Sequence, residues 1–282
     1  MKILFLVFAL GFILVVGVNS QTGPADFRKV VEKQLGNKKQ KLSEVCPIDS
    51  NIVAKRVFKD YGAMFVSVDS VKFPSKCVFS TEDEVLSFQN TVKASTKTIN
   101  GVSVTLQEAA MKALNSAIAE AAKAGLKITP RGGSASKRSF ADTARIWNSR
   151  FEPGLKHWTA KGKISAAAGE SARRMDIIDQ VAQVMRWEEQ QLWFSTRFNY
   201  SIFSSVAAPG TSQHLSMIAF DVAEFGNKDV KAILNKHGWF QTIIDDLPHF
   251  TYIGRSENDL PKFGLVKTTR DGVAFWIPNF ER

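Results

Sequence analysis

Four histidines, His157, His214, His237 and His249, stand in a chain of 282 residues, so imidazole chemistry has few places to occur. His214 opens the segment HLSMIAFD, which carries Asp221 seven positions on, and His249 closes DDLPH, with Asp246 three positions before it. Two imidazoles and one carboxylate suit zinc, an ion that takes nitrogen and oxygen ligands and in catalytic sites leaves its fourth position to water. His214, Asp221 and His249 are therefore the candidate zinc ligands. Strand alternation over 216–222 supports the grouping, because Met217, Ala219 and Asp221 then share one face while Ile218, Phe220 and Val222 share the other. The second set reads as core and the first as the floor of a site. Rival chemistries are poorly represented. Ser134-Ala135-Ser136-Lys137 matches S-x-x-K without an accompanying K-T-G, and no H-E-x-x-H, G-x-S-x-G or Walker A pattern is present. His237, in NKHGWF at a predicted helix end, reads as a capping or packing residue, and His157, with no carboxylate set around it, as structural.

The elements that must position these residues are helices mixed with short strands. From 21 to 104 the chain reads as a mixed, polar N-terminal extension, with helical spacing over 51–60, a strand-like run over 63–68, and Thr81 and Glu84 as a capping box that opens a helix. Asn100-Gly101 marks a boundary. Thr105 and Glu108 form a second capping box before LQEAAMKALNSAIAEAAKAG, where Leu106, Ala110, Leu114, Ala117 and Ala121 recur at helical steps and Gly125 supplies the stop. LKITP reads as a short strand, RGGSASKRS as a turn and SFADTARIWNSRF as a helix. The stretch 150–206 is further helical, with Ile177, Val181, Val184 and Trp187 on one face, and ends at Pro209-Gly210. Strands are then expected over 216–222 and 249–253, with a helix over 227–235 between them. Without regular βαβ repeats, this order of elements predicts an α+β fold.

The opening MKILFLVFALGFILVVGVNSQT has one lysine, an unbroken apolar run over 3–16, and then small and polar residues. That is the layout of a secretory signal peptide, expected over 1–20 with cleavage after Ser20. No later segment is apolar for long enough to cross a membrane, so a secreted or periplasmic protein with no stable membrane span after signal removal is expected. In an oxidising compartment Cys46 and Cys77, the two cysteines of the chain, can close a disulfide, the alternative being two buried thiols. Lys and Arg number 37 against 27 Asp and Glu, a formal charge of +10 that removal of Lys2 lowers by one. Such a surface attracts polyanions, of which anionic envelope polymers are the partners an exported protein meets. Nucleic acid is not expected, since no helix-turn-helix or aromatic RNA-binding signature is present. The basic run Lys38-Lys39-Gln40-Lys41 reads as a solvated loop.

Taken in order, Arg138-Ser139 after a strand and turn, then PGTSQHLSMIAFD, then DLPHF, the chain resembles the zinc peptidases of the D-alanyl-D-alanine carboxypeptidase type, the VanY-like or LAS family. Members carry an Arg after the first strand, S-x-H-x-x-G-x-A-x-D, and a late [E/D]-x-x-H. The resemblance covers roughly 105–252. It implies a zinc peptidase core over 105–282, a small antiparallel sheet with flanking helices, in which His214, Asp221 and His249 hold Zn2+. It further implies that Asp246 is the general base, that Arg138 serves catalysis and substrate contact, and that Ser212 lies at the substrate-binding site. The implied activity is zinc-dependent hydrolysis of peptidoglycan stem peptides, as in D-alanyl-D-alanine carboxypeptidases. Asp246 and Pro248 stand where many carboxypeptidases have Glu and Trp, and PHF preceded by Asp is closer to the branch that cuts L-Ala-D-Glu bonds. A non-catalytic, zinc-stabilised wall-binding module is the remaining alternative. Met217 stands where the pattern has glycine.

Overall fold

A computed structural model describes residues 23–281; the predicted signal segment 1–20 lies outside them. The Asp26 carboxylate accepts from the Lys29 N–H and opens helix α1 (Phe27–Asn37), which buries Phe27, Val31 and Leu35 at four-residue steps. A short helical turn, α2 (Leu42–Val45), leads to Cys46, which is joined to Cys77 by a disulfide. Asn51 caps α3 (Ile52–Tyr61). The run over 63–68, expected as a strand, forms instead a 3-10 turn over Gly62–Val66 with all five residues buried. A strand with one wet face needs alternate burial, whereas this segment prolongs α3 into the interior, where Phe58 packs on Phe27 and Phe65 at ring separations of 4.9 and 6.5 Å. Within the basic run, Lys39 and Lys41 are exposed, while Lys38 lies 3.9 Å over the Phe73 ring and donates to the Val71 carbonyl.

Thr81 accepts from the Glu84 N–H and opens α4 (Glu82–Asn90), and the Glu84 carboxylate turns back to the Ser80 N–H. An antiparallel hairpin follows, β1 (Ala94–Ile99) and β2 (Val102–Gln107), with Ile99 opposite Val102. Asn100-Gly101 is thus a hairpin turn, with φ of +48° and +78°, the left-handed pair that a two-residue loop between twisted strands requires. Thr105 accordingly faces Thr96 across the hairpin at 2.8 Å instead of capping a helix, and α5 (Glu108–Lys123) starts after Gln107. The predicted strand around LKITP makes one bridge, Pro130 to Val222. Ser139 and Asp142 form a reciprocal capping box for α6 (Phe140–Ala160), and α7 (Ala166–Arg173) and α8 (Ile177–Glu189) complete the helical middle.

The central sheet is small. Strand β3 (Ala219–Asp221) is followed by helix α9 (Lys228–Lys236), β4 (Trp239–Phe240) and β5 (His249–Tyr252), and the sheet runs antiparallel in the order β3-β5-β4. A second hairpin, β6 (Leu265–Arg270) with β7 (Val273–Pro278), closes the chain. The expected strand over 216–222 is therefore three residues long, because Gln213–Ser216 coils into a 3-10 turn and Met217 is left-handed. One buried cluster runs from Phe27 and Phe58 through Leu114, Trp147 and Phe194 to Phe220, Trp239, Phe250 and Leu265. Helices segregated around small antiparallel sheets make this an α+β fold. No helix among the described residues is long and apolar enough to cross a membrane.

Candidate metal centre

Cross-strand register makes the first contact of the site. Asp221 of β3 stands directly opposite His249 of β5, so two chemically useful side chains 28 residues apart in sequence meet at the sheet end. His214 reaches them from the 3-10 turn Gln213–Ser216, whose opening residue Ser212 accepts from the His214 N–H at 3.4 Å. The turn is held on both sides. Before it, Gly210 (φ +77°) takes the Phe79 N–H on its carbonyl and donates to Thr143 Oγ1; a β-carbon there would sit 1.8 Å from the Phe79 carbonyl oxygen. After it, buried Met217 adopts φ +54° and ψ +36°, a conformation glycine reaches without cost, and so redirects the chain into β3. Its N–H returns to the His214 carbonyl, and its own carbonyl accepts from the Gln107 N–H at 2.8 Å.

His214 Nε2 lies 3.1 Å from His249 Nδ1 and 3.2 Å from Asp221 Oδ1, and His249 Nδ1 lies 3.4 Å from the same oxygen. These three atoms form the single cluster of metal-ligating groups among the described residues. Bonds of about 2.0–2.1 Å from a tetrahedral zinc put neighbouring ligand atoms roughly 3.3 Å apart, which is the spacing seen. The proton inventory points the same way. His214 Nδ1 donates to the Ser136 carbonyl at 2.7 Å, and His249 Nε2 donates to Gln213 Oε1 at 2.8 Å. The amide orientation of Gln213 follows from its Nε2 donating to the Tyr61 carbonyl. In its neutral form each imidazole has its one N–H directed outward, so that two nitrogen lone pairs and a carboxylate oxygen converge. A cation resolves that repulsion, so the residues present fit Zn2+.

Electrostatics keep the set in its ligand form. Burial, aided by the Arg138 charge, pulls His214 down to about 4, so its imidazole is neutral at ordinary pH. Burial opposes ionisation of Asp221, yet its carboxyl is held well below the usual range, and with both imidazoles neutral it is the Arg138 guanidinium on Oδ2 that favours the ionised form. Arg138 is committed to this ligand, with Nη2 on Asp221 Oδ2 at 2.6 Å and Nε on the Ser134 carbonyl at 3.0 Å. Asp221 therefore presents one oxygen to the histidines and the other to a guanidinium.

A cavity of about 230 Å³ opens beside the three ligand atoms, lined by Tyr61, Arg131, Arg138, Ser212, Asp246 and Pro248 among others. The Asp246 carboxylate makes no hydrogen bond or ion pair with any described residue. Burial and the neighbouring Asp221 charge raise its pKa, with the Arg138 and Arg131 guanidinium groups offsetting part of the rise. Gln213, Tyr61 and Arg131 belong to the site but carry no sequence signal, since each is recognised only by partners far along the chain. The other histidines lie elsewhere: His237 ends α9 and bonds Glu120 at 2.9 Å, and His157 stacks on Phe198 at 4.0 Å. Ser136, from the rival S-x-x-K match, serves the centre through its carbonyl, while its hydroxyl accepts from the Thr105 N–H.

No family model matches the sequence, and no curated protein matches it. Two solved structures resemble the fold. A variant of the vancomycin-resistance D,D-pentapeptidase VanY from a VanB-type resistance cassette, in complex with Zn(II), is 16% identical over 58% of this chain and 82% of that chain, with a TM-score of 0.33. The LdcB LD-carboxypeptidase is also 16% identical, over 53% of this chain and 60% of that chain, with a TM-score of 0.30.

Proposed function

We propose that this protein is a zinc-dependent peptidase that hydrolyses peptidoglycan stem peptides, D-alanyl-D-alanine carboxypeptidase-like, acting outside the cytoplasm. The observation that carries the reading is the pairing of three converging ligand atoms with a carboxylate, Asp246, that has no hydrogen-bond or ion-pair partner among the described residues, on one cavity. The sequence resemblance supplies the substrate class. Zinc, when held by His214, Asp221 and His249, supplies Lewis acidity that polarises a carbonyl and acidifies water. Asp246 takes the proton of the attacking water on a carboxylate oxygen and returns it to the leaving amine, a task its raised pKa favours. Arg138 orients Asp221, and its Nη1, which bonds no described residue, is left to donate to a substrate oxygen. The Ser212 hydroxyl hydrogen is likewise available at the cavity wall.

A wall-binding module that keeps zinc for stability needs no unpaired carboxylate beside its metal. The test follows from that difference. Metal analysis should find one zinc per chain in wild type, none in His214→Ala, and full occupancy in Asp246→Asn. Purified peptidoglycan digested by wild type should lose terminal D-Ala in mass spectra, whereas stems ending in L-Ala would identify the L-Ala-D-Glu activity instead. Asp246→Asn should be slower by about 100-fold or more. Wild type that holds zinc and cleaves no wall fragment would make the binding module the better reading.

A further inference from the structure

Two arginines line the cavity, and their situations differ. Arg138 is spent on Asp221 and the Ser134 carbonyl. Arg131 is exposed, and its side chain makes no hydrogen bond or ion pair with any described residue. Its position is nonetheless fixed. The Arg131 N–H donates to the Asp221 carbonyl at 2.8 Å, Pro130 bridges Val222, and Thr129 is held by two bonds of 2.8 and 2.6 Å to the Glu224 carboxylate. The guanidinium lies over the Phe225 ring, 5.2 Å from its centroid, so an aromatic face supports the charge without neutralising it.

Charge around the cavity also has a direction. Arg131 and Arg138 balance Asp221 and Asp246, so a bound dication leaves the cavity positive and attractive to an anion. A guanidinium presents a planar fork of donors that matches a carboxylate in two parallel bonds, which an ammonium cannot do. We infer that Arg131 is the specificity-determining residue of this site and recognises a carboxylate of the peptide substrate. The inference rests on the peptidase reading above. A stem peptide offers that group in two places, its terminal carboxylate and the α-carboxylate of its D-Glu.

Three synthetic stems, L-Ala-γ-D-Glu-L-Lys-D-Ala-D-Ala with both carboxylates free, with the terminus amidated, and with the D-Glu carboxylate amidated, separate the sources. Binding is measured by calorimetry on zinc-loaded Asp246→Asn protein with Arg131, Gln or Lys at that position, and kcat/KM on the same position in the wild-type background. With Arg131, amidating one of the two carboxylates should weaken binding at least tenfold. Arg131→Gln should shrink that ratio to less than twofold at equal zinc content, and Arg131→Lys should retain part of it. A full ratio in Arg131→Gln, no effect of either amidation, or no binding of the free stem overturns the inference. Arg131-dependent binding without wild-type turnover sinks the peptidase reading alone, and turnover without carboxylate discrimination sinks only the role of Arg131.

Discussion

Gln213 decides which nitrogen His249 offers to a metal. Its amide oxygen accepts from His249 Nε2 and from the Thr251 hydroxyl, and its amide nitrogen donates to the Tyr61 carbonyl. Because the Thr251 proton is used on Gln213, the 2.7 Å contact between the Thr242 and Thr251 hydroxyls has Thr242 as donor, and the chain of bonds has one polarity. Gln213→Leu leaves the His249 N–H without an acceptor in a fully buried place and frees the ring to rotate or change tautomer. Zinc affinity should fall about 10- to 100-fold, read by chelator competition. An affinity unchanged from wild type would show that strand β5 alone orients the ring. At this scale the two histidines and Asp221 stood out because imidazole is scarce in the chain, whereas alternation over 216–222 did not make a site floor: Met217 is left-handed, and neither it nor Ala219 lines the cavity. Gln213 was not, because its partners stand at positions 61, 249 and 251 and nothing local distinguishes it from any other glutamine.

Elements place the site by how they end as much as by where they run. Gly210 stands four residues before His214 with its would-be β-carbon inside the Phe79 carbonyl, so Gly210→Ala must displace either the loop or the backbone it crosses. Strain together with positive φ should cost about 2–4 kcal/mol, seen as a lower urea midpoint, with weaker zinc retention because His214 moves. A loss under about 0.5 kcal/mol, the scale of an ordinary surface change, would mean that the loop shifts freely. The two strands that carry Asp221 and His249 were readable from alternating apolar residues, although β3 is shorter than its pattern because Met217 turns left-handed before it. Met217 there adopts a backbone conformation that glycine reaches without cost. The hairpin before α5 was hidden by a competing signal: Thr105 and Glu108 have capping-box spacing, yet Val104 and Leu106 are buried and Thr105 is not, a period-two pattern that the Asn100-Gly101 turn makes productive. Packing outside the local window likewise turned 62–66 into a 3-10 segment.

Over the whole molecule, the Cys46–Cys77 disulfide spans 31 residues, and closing a loop of that size removes roughly 3–4 kcal/mol of unfolded-state freedom in the chain-entropy account. Replacing both cysteines by serine should lower unfolding stability by about 2–4 kcal/mol and leave zinc stoichiometry unchanged, since neither lines the metal cavity. Loss of metal in that variant would tie the disulfide to the site. Tertiary bonds also stitch the first helix to the last strand: the Phe27 N–H donates to the Asn279 carbonyl, the Asn279 amide donates to the Ala25 carbonyl 254 positions away, and Phe58 packs edge-on to Phe280 at 5.1 Å. Further bonds run from Val68 to Ile253 and from Arg255 to Val66. A chain being made in order therefore keeps its early helices without their partners until the final strands arrive. Contacts of such sequence separation form slowly, because loop closure precedes any gain from packing. These contacts are expected to close only after the residues up to 280 have been synthesised, and the cluster of His214, Asp221 and His249 to assemble with them.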